Sequence, residues 1–265
     1  MTQPRSLGRK SIRASLKPAD LMADETLAHA WRAEVITLLP EAWPGVLGAS
    51  LTGRALSDGK WQLRTHDLRE HGEGRHRNVD DTPAGGGAGM VLRADILGRA
   101  IETAADPRHP LPMLLLSPRG QRFDQAFAAR LAAGPGAIFV CGRFEGVDER
   151  AIEHYGLIEV SLGDFVLTGG DLAAQAMIDA ALRLRPGILG NAASAEEESF
   201  SAGLLEHPQY TKPAEWQDRP IPEVLLSGHH GRIAEWRQKQ AEAVTRARRP
   251  DLWAAYARAK GLPEE

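Results

Sequence analysis

Three loops in this 265-residue chain are built for close contact with a ligand. They are SPRG (117–120), CGRFEG (141–146) and SLGDFVLTGG (161–170), and each follows a short apolar run. Glycine lets backbone N–H and C=O groups approach a bound molecule, at an entropic cost that needs a reason. The chain has no G-x-G-x-x-G and no G-x-x-x-x-G-K-[ST], so dinucleotide and P-loop chemistries lack their fingerprints. SLGDFVLTGG holds no lysine or arginine. Such loops read a ligand through backbone amides rather than by clamping phosphates. A second concentration of chemistry is Glu196-Glu197-Glu198, where adjacent carboxylates repel and raise the pKa of the least solvated one. Taken alone, that run is a solvated acidic hinge. The single cysteine, Cys141, reads as a small buried apolar residue rather than a nucleophile, with no histidine near it in sequence.

The elements that position these residues follow from periodicity. Residues 31–39 (WRAEVITLL) and 61–65 read as strands, and 66–89 as a polar, glycine-rich loop. Residues 90–103 have helical spacing through Leu92, Ile96 and Ile101. Apolar runs at 111–116, 137–141 and 157–161 alternate with helical stretches at 123–132 and 171–185. That alternation predicts a parallel α/β sheet covered on both faces, with the loops at its carboxyl edge, where open sheets bind ligands. Residues 228–260 read as two or three helices with Trp236, Val244, Leu252 and Tyr256 inward. The predicted organisation is an N-terminal extension (1–30), an α/β domain (31–189), a linker (190–203) and a small helical domain (204–265).

Composition limits the partners. With 43% hydrophobic and 25% charged residues the chain is ordinary and globular, so disordered, collagenous and disulfide-scaffold classes are excluded. At this length roughly 73% of the unfolded surface is buried on folding, enough for a sizeable core. No apolar run approaches about 18 residues, so no membrane partner is expected. The basic first 20 residues lack the apolar run of a secretory signal and read as a disordered extension or a start codon placed too far upstream, with an organellar transit peptide as the alternative. One cysteine makes the cytoplasm the default compartment. The net charge of −3 hides local opposition. From His229 to Pro250 there are six basic residues (Arg232, Arg237, Lys239, Arg246, Arg248 and Arg249) against Glu235 and Glu242. Such a run is a solvated helix face or a phosphate track.

The strings CGRFEGVDER (141–150), SLGDFVLTGGDL (161–172), GNAASAEEESF (190–200), LLEHPQYTKP (204–213) and LSGHHGRIAEWRQKQ (226–240) resemble the bacterial tRNA (guanine-N1)-methyltransferase family. The similarity runs from about residue 31 to 249, in family order and spacing. It implies methyl transfer from S-adenosyl-L-methionine to N1 of the guanosine at tRNA position 37, next to the anticodon. It also implies a trefoil-knotted SPOUT-type fold and a homodimer gripping the anticodon arm. Mg²⁺ is a candidate second cofactor. No metal-ligand set is assigned.

Carried over by position, the resemblance places the cofactor at Leu115, Pro118, Gly142, Phe144, Glu145, Leu162, Gly163, Leu167, Gly169 and Gly170. Guanine N1 carries a proton and needs a general base. The family assigns that base to the third acid of the linker, here Glu198 in place of the usual aspartate. Arg183 is the cation for the charge that develops on O6; its plainer role is a helix pair with Asp179. Small residues Ala192, Ala193, Ser194 and Ala195 predict a linker that orders when tRNA binds. Candidate tRNA contacts are His207, Tyr210, Lys212, His229, His230, Arg232, Arg237 and Lys239. Three departures are visible: Glu198 itself, Ala84 and Ala88 in VDDTPAGGGAGM where the family has an aromatic and a proline, and Leu115 where an aromatic often stands. The rivals are a catalytically silent RNA- or cofactor-binding relative and a knotted methyltransferase for another nucleotide.

Overall fold

A computed structural model of the chain describes residues 30–188, 198–200 and 202–262. The expectations for the first 29 residues, and for most of the linker with Ala192 to Glu197, lie outside these.

Five parallel strands form the main sheet: β1 (Trp31–Thr37), β2 (Trp61–Asp67), β5 (Met113–Arg122), β6 (Gly136–Val140) and β8 (Ile158–Ser161), in the order β2-β1-β6-β5-β8. The near-continuous apolar runs predicted burial on both faces, and the packing agrees. On one face Trp31, Ala33, Val35, Phe139 and Val160 pack against α1 (Ser50–Ser57), α3 (Gln125–Ala133) and α5 (Asp171–Arg183). On the other, Ile36, Ile138, Val140 and Leu115 pack against α2 (Ala94–Ala104) and α4 (Glu149–Tyr155). This is the three-layer parallel α/β arrangement expected from the sequence.

Two local features depart from the expectation. SPRG does not end its strand: β5 runs on to Arg122, and only its ladder to β8 breaks, with Leu116 and Gln121 both paired to Val160. A Cβ on Gly120 would lie 2.2 Å from the Val160 backbone nitrogen, so the two chains touch where only glycine fits. The loop after β2 is also less irregular than predicted. It holds β3 (Asp80–Asp81), which pairs with β4 (Val91–Leu92), and β4 pairs in turn with β7 (Gly146–Val147).

Beyond residue 203 the chain forms a short hairpin, β9 (Glu215–Trp216) and β10 (Arg219–Pro220), then α6 (Glu223–Leu226), α7 (His230–Arg248) and α8 (Pro250–Lys260). Gln217 and Asp218 have φ of 50° and 57°, the geometry of a two-residue hairpin turn. The inward residues match the predicted set only in part, with Tyr256 packed against this core. Thr245, Trp253 and Ala257 are buried with Leu204, while Val244 and Leu252 are only partly covered. The reason is hydrogen bonding: the Thr245 hydroxyl donates to the Ala241 carbonyl and accepts from the Leu205 N–H, so a polar residue closes this small core. Among the described residues no helix is long and apolar enough to cross a membrane.

Candidate active site

Because β5, β6 and β8 are adjacent and parallel, the segments that follow their apolar halves meet at one edge. They enclose a cleft of about 420 Å³. Two of the loops touch backbone to backbone. The Gly170 N–H donates to the Gly142 carbonyl at 2.9 Å. A Cβ on Gly170 would sit 2.9 Å from Cys141 Cα and from Leu116 Cβ, and one on Gly169 would sit 2.9 Å from Arg143 Cγ. Gly169 and Gly170 are thus required by close packing between the loops that wall the cleft.

Of the ten predicted cofactor residues, Leu115, Pro118, Gly142, Phe144, Glu145, Leu162, Leu167, Gly169 and Gly170 line this one cleft. Gly163 does not. Its peptide is held by the Ser161 side chain, which accepts from the Gly163 N–H and donates to its carbonyl, and its Cα lies against the Phe165 ring. Its part is to shape the loop. Sequence reasoning missed Ser117, Arg119, Arg143, Thr168 and Phe165, which also line the cleft from the same loops. Arg119 is taken up by Glu149 at 3.1 Å and Glu159 at 3.0 Å, which raise its pKa.

Glu145 is delivered to the cleft by pairing rather than by its own loop. Its N–H donates to the Met90 carbonyl at 2.9 Å, beside the β4–β7 pair. That contact brings the end of the VDDTPAGGGAGM loop alongside, so that a Cβ on Gly89 would lie 3.1 Å from Glu145 Cβ. Asp148 is a helix cap. It accepts from the Arg150 N–H at 3.0 Å and pairs with its guanidinium at 2.6 Å, which holds its carboxyl below the usual range. Cys141 is fully buried behind the cleft, and burial pushes its thiol well above the ordinary value.

The proposed acid–base residues are brought together, but not with the cofactor residues of the same chain. Arg183 in the last turn of α5 donates through Nη2 to Glu198 Oε1. This ion pair, not one with Asp179, is the partner Arg183 takes. Glu198 is held just before a closed turn in which the Phe200 N–H donates to the Leu204 carbonyl at 2.7 Å. Helix α5 starts at the cleft and is 13 residues long. At 1.5 Å of rise per residue, Arg183 lies about 20 Å along the axis from Gly170.

A second cleft, about 330 Å³, lies between the HPQYTKP segment and α6–α7. It gathers His207, Tyr210, Lys212 and Arg237 around Trp236. His229 and His230 stand instead at the start of α7. Arg232 lies exposed on its first turns, and Lys239 pairs with Glu235 at 2.7 Å.

Comparison with known proteins places this arrangement. The family model for tRNA (Guanine-1)-methyltransferase TrmD matches residues 31–255. A tRNA (guanine-N(1)-)-methyltransferase of Ruegeria pomeroyi is 68% identical over 224 residues, covering 84% of this chain and 92% of that protein. One from Ruegeria sp. is 66% identical over 231 residues, covering 87% and 95%. One from Rhodopseudomonas palustris is 61% identical over 225 residues, covering 85% and 90%. The matched span takes in every loop of the cleft as well as Arg183, Glu198 and the small helical region as far as residue 255. This chain belongs to the tRNA (guanine-1)-methyltransferase family.

Proposed function

We propose that this chain transfers a methyl group from S-adenosyl-L-methionine to N1 of the guanosine at position 37 of tRNA, on the anticodon arm. The observation that carries the reading is the strand-end cleft, walled by glycine backbone and apolar side chains. Its residues fit the cofactor. The Gly169–Gly170 turn, where a Cβ would strike the neighbouring loop, puts closely packed backbone in the cleft wall and suits an adenosine held by peptide groups. Leu115, Phe144, Leu162 and Leu167 supply apolar surface, with Leu115 packing where stacking is absent. Pro118 forms one lip. Glu145 offers a carboxylate to the cofactor's ammonium group. When bound, the cofactor supplies a methyl group activated by its sulfonium.

The chain's own task is to hold guanine in line and remove the N1 proton. Glu198 is the base, with one more methylene of reach than aspartate. Arg183 orients that carboxylate in the resting arrangement and donates to O6 as negative charge develops there. Guanine presents N1–H and O6 side by side, so one edge engages both residues. The separation of about 20 Å along α5 supports a reading in which this pair serves a different cleft from its own chain's. We therefore infer a homodimer in which Arg183 and Glu198 of one protomer meet the cleft of the other. Exposed Val46, Leu51, Phe165, Val166 and Leu172 supply apolar surface for that contact.

Within this reading, residues 31–189 are the cofactor domain, knotted as in the SPOUT class, and 204–265 the tRNA-binding domain, with 190–203 linking them. A cytoplasmic location fits a tRNA substrate. Among the described residues no three His, Cys, Asp or Glu side chains gather as a cation site, and no step is assigned to Mg²⁺.

The deciding experiment incubates the protein with labelled S-adenosylmethionine and unmodified tRNA bearing guanosine at position 37, followed by digestion. Labelled 1-methylguanosine at that position is expected. Its absence overturns the reading.

A further inference from the structure

We propose that the cleft beside Trp236 seats one unstacked nucleotide of the bound RNA, a nucleotide other than the one that is methylated. The inference deepens the reading that the chain binds tRNA, and it rests on that reading. Trp236 lines the cleft with two rings set against it. His207 lies at 6.4 Å and Tyr210 at 6.1 Å between centroids, both at 62°. These edge-on contacts fix the indole while Tyr210 keeps 48% of its surface exposed. Leu226, 61% exposed, forms an apolar lip. A volume of about 330 Å³ lies at the small end of the 300–1,000 Å³ that ligand pockets span, the scale of one nucleotide.

Charge selects among occupants. Among the described residues the lining holds two permanent cations, Lys212 and Arg237, and no carboxylate. Just outside it, Glu206 accepts from the Gln209 amide and fixes that side chain. Rings beside cations complement a base and its phosphate. Holding one nucleotide out of the stack would help keep the loop open for extrusion of the target base.

The test uses the full-length protein and tRNA carrying 2-aminopurine at each anticodon-loop position except 37 in turn. One position is expected to change its fluorescence on binding. That change should vanish in Thr211→Trp, which fills the cleft without altering its charge, and in Tyr210→Ala. Both variants should bind tRNA about ten- to a hundredfold more weakly, the loss expected from one base–aromatic stack, with affinity for S-adenosylmethionine unchanged. Tyr210→Phe should restore most of the binding. The proposal is overturned if no position responds, if the response survives in Thr211→Trp, or if Thr211→Trp binds tRNA as the parent does. The fluorescence reads binding without turnover. A parent protein that binds with the predicted response but forms no 1-methylguanosine would overturn the methyltransferase reading and leave the nucleotide seat standing.

Discussion

Thr37 and Asp171, 134 residues apart, meet in a buried hydrogen bond of 2.6 Å from the threonine hydroxyl to Asp171 Oδ1. Trp43 Nε1 donates to the same oxygen at 3.0 Å, and the Gln175 amide donates to the Ala42 carbonyl at 3.2 Å. Together they fasten the end of β1 and the loop after it to the first turn of α5. Gly170, the residue before Asp171, is a wall of the cleft. A polar cluster behind the site thus fixes the backbone that faces a ligand.

Replacing Asp171 by alanine leaves the Thr37 hydroxyl and the Trp43 N–H buried without an acceptor. Each such group costs about 1–3 kcal/mol. Asp171→Ala should lose about 2–4 kcal/mol in urea denaturation, and Asp171→Asn less, because the amide oxygen still accepts. Equal stability of Asp171→Ala and the parent would remove the cluster from this account.

Gly170→Ala tests the cradle more directly. The new methyl would stand 2.9 Å from Cys141 Cα, a backbone atom that cannot swing away. Overpacking of this kind costs about 1–3 kcal/mol. Affinity for S-adenosylmethionine by calorimetric titration should fall about tenfold or more, while affinity for tRNA holds. Parent-like cofactor binding would mean the cofactor lies elsewhere.

For the acid–base pair, Glu198→Gln and Arg183→Ala should each lower single-turnover methyl transfer by about 10²–10⁴-fold while sparing cofactor binding. Glu198→Asp, the usual family residue, should keep most of the rate. Near-parent activity of Glu198→Gln would unseat it as the base.

Sharing of the site between protomers has its own signature. Mixed and re-annealed, Glu198→Gln and a Gly170→Ala variant should recover about one quarter of the parent's sites, since half the dimers are mixed and each has one intact site. If every site were built within one chain, the mixture would stay at the level of the two variants alone.

Cys141 carries a pH prediction. Its folded-state pKa is raised above the ordinary thiol value by burial, so the neutral S–H form persists as pH rises through that value. Alkylation needs the thiolate, so the native protein should resist iodoacetamide at about pH 8.5 and react once unfolded. Cys141→Ala should methylate as the parent does. Rapid native labelling would contradict the burial.

The sequence determined a good deal by itself. Uninterrupted apolar runs such as AIFV, alternating with helical spacing, specified a parallel sheet buried on both faces. The glycine-rich segments marked its ligand edge, because glycine at such density answers to backbone approach. Local patterns, however, carry no distances between elements. Nothing in VDDTPAGGGAGM announces that Met90 pairs with Glu145, or in a lone Thr37 that it meets Asp171 across 134 residues. Thr245 was passed over for Val244 because periodicity counts apolar residues, whereas the fold closed that core with a hydroxyl that two backbone groups satisfy. The placement of Arg183 was decided only in three dimensions. Helix spacing put it opposite Asp179, while the folded chain returns Glu198 to it, some 20 Å along α5 from the cleft. Composition and period fix which face of an element is buried. Which distant elements share a site depends on packing that only the whole tertiary structure resolves.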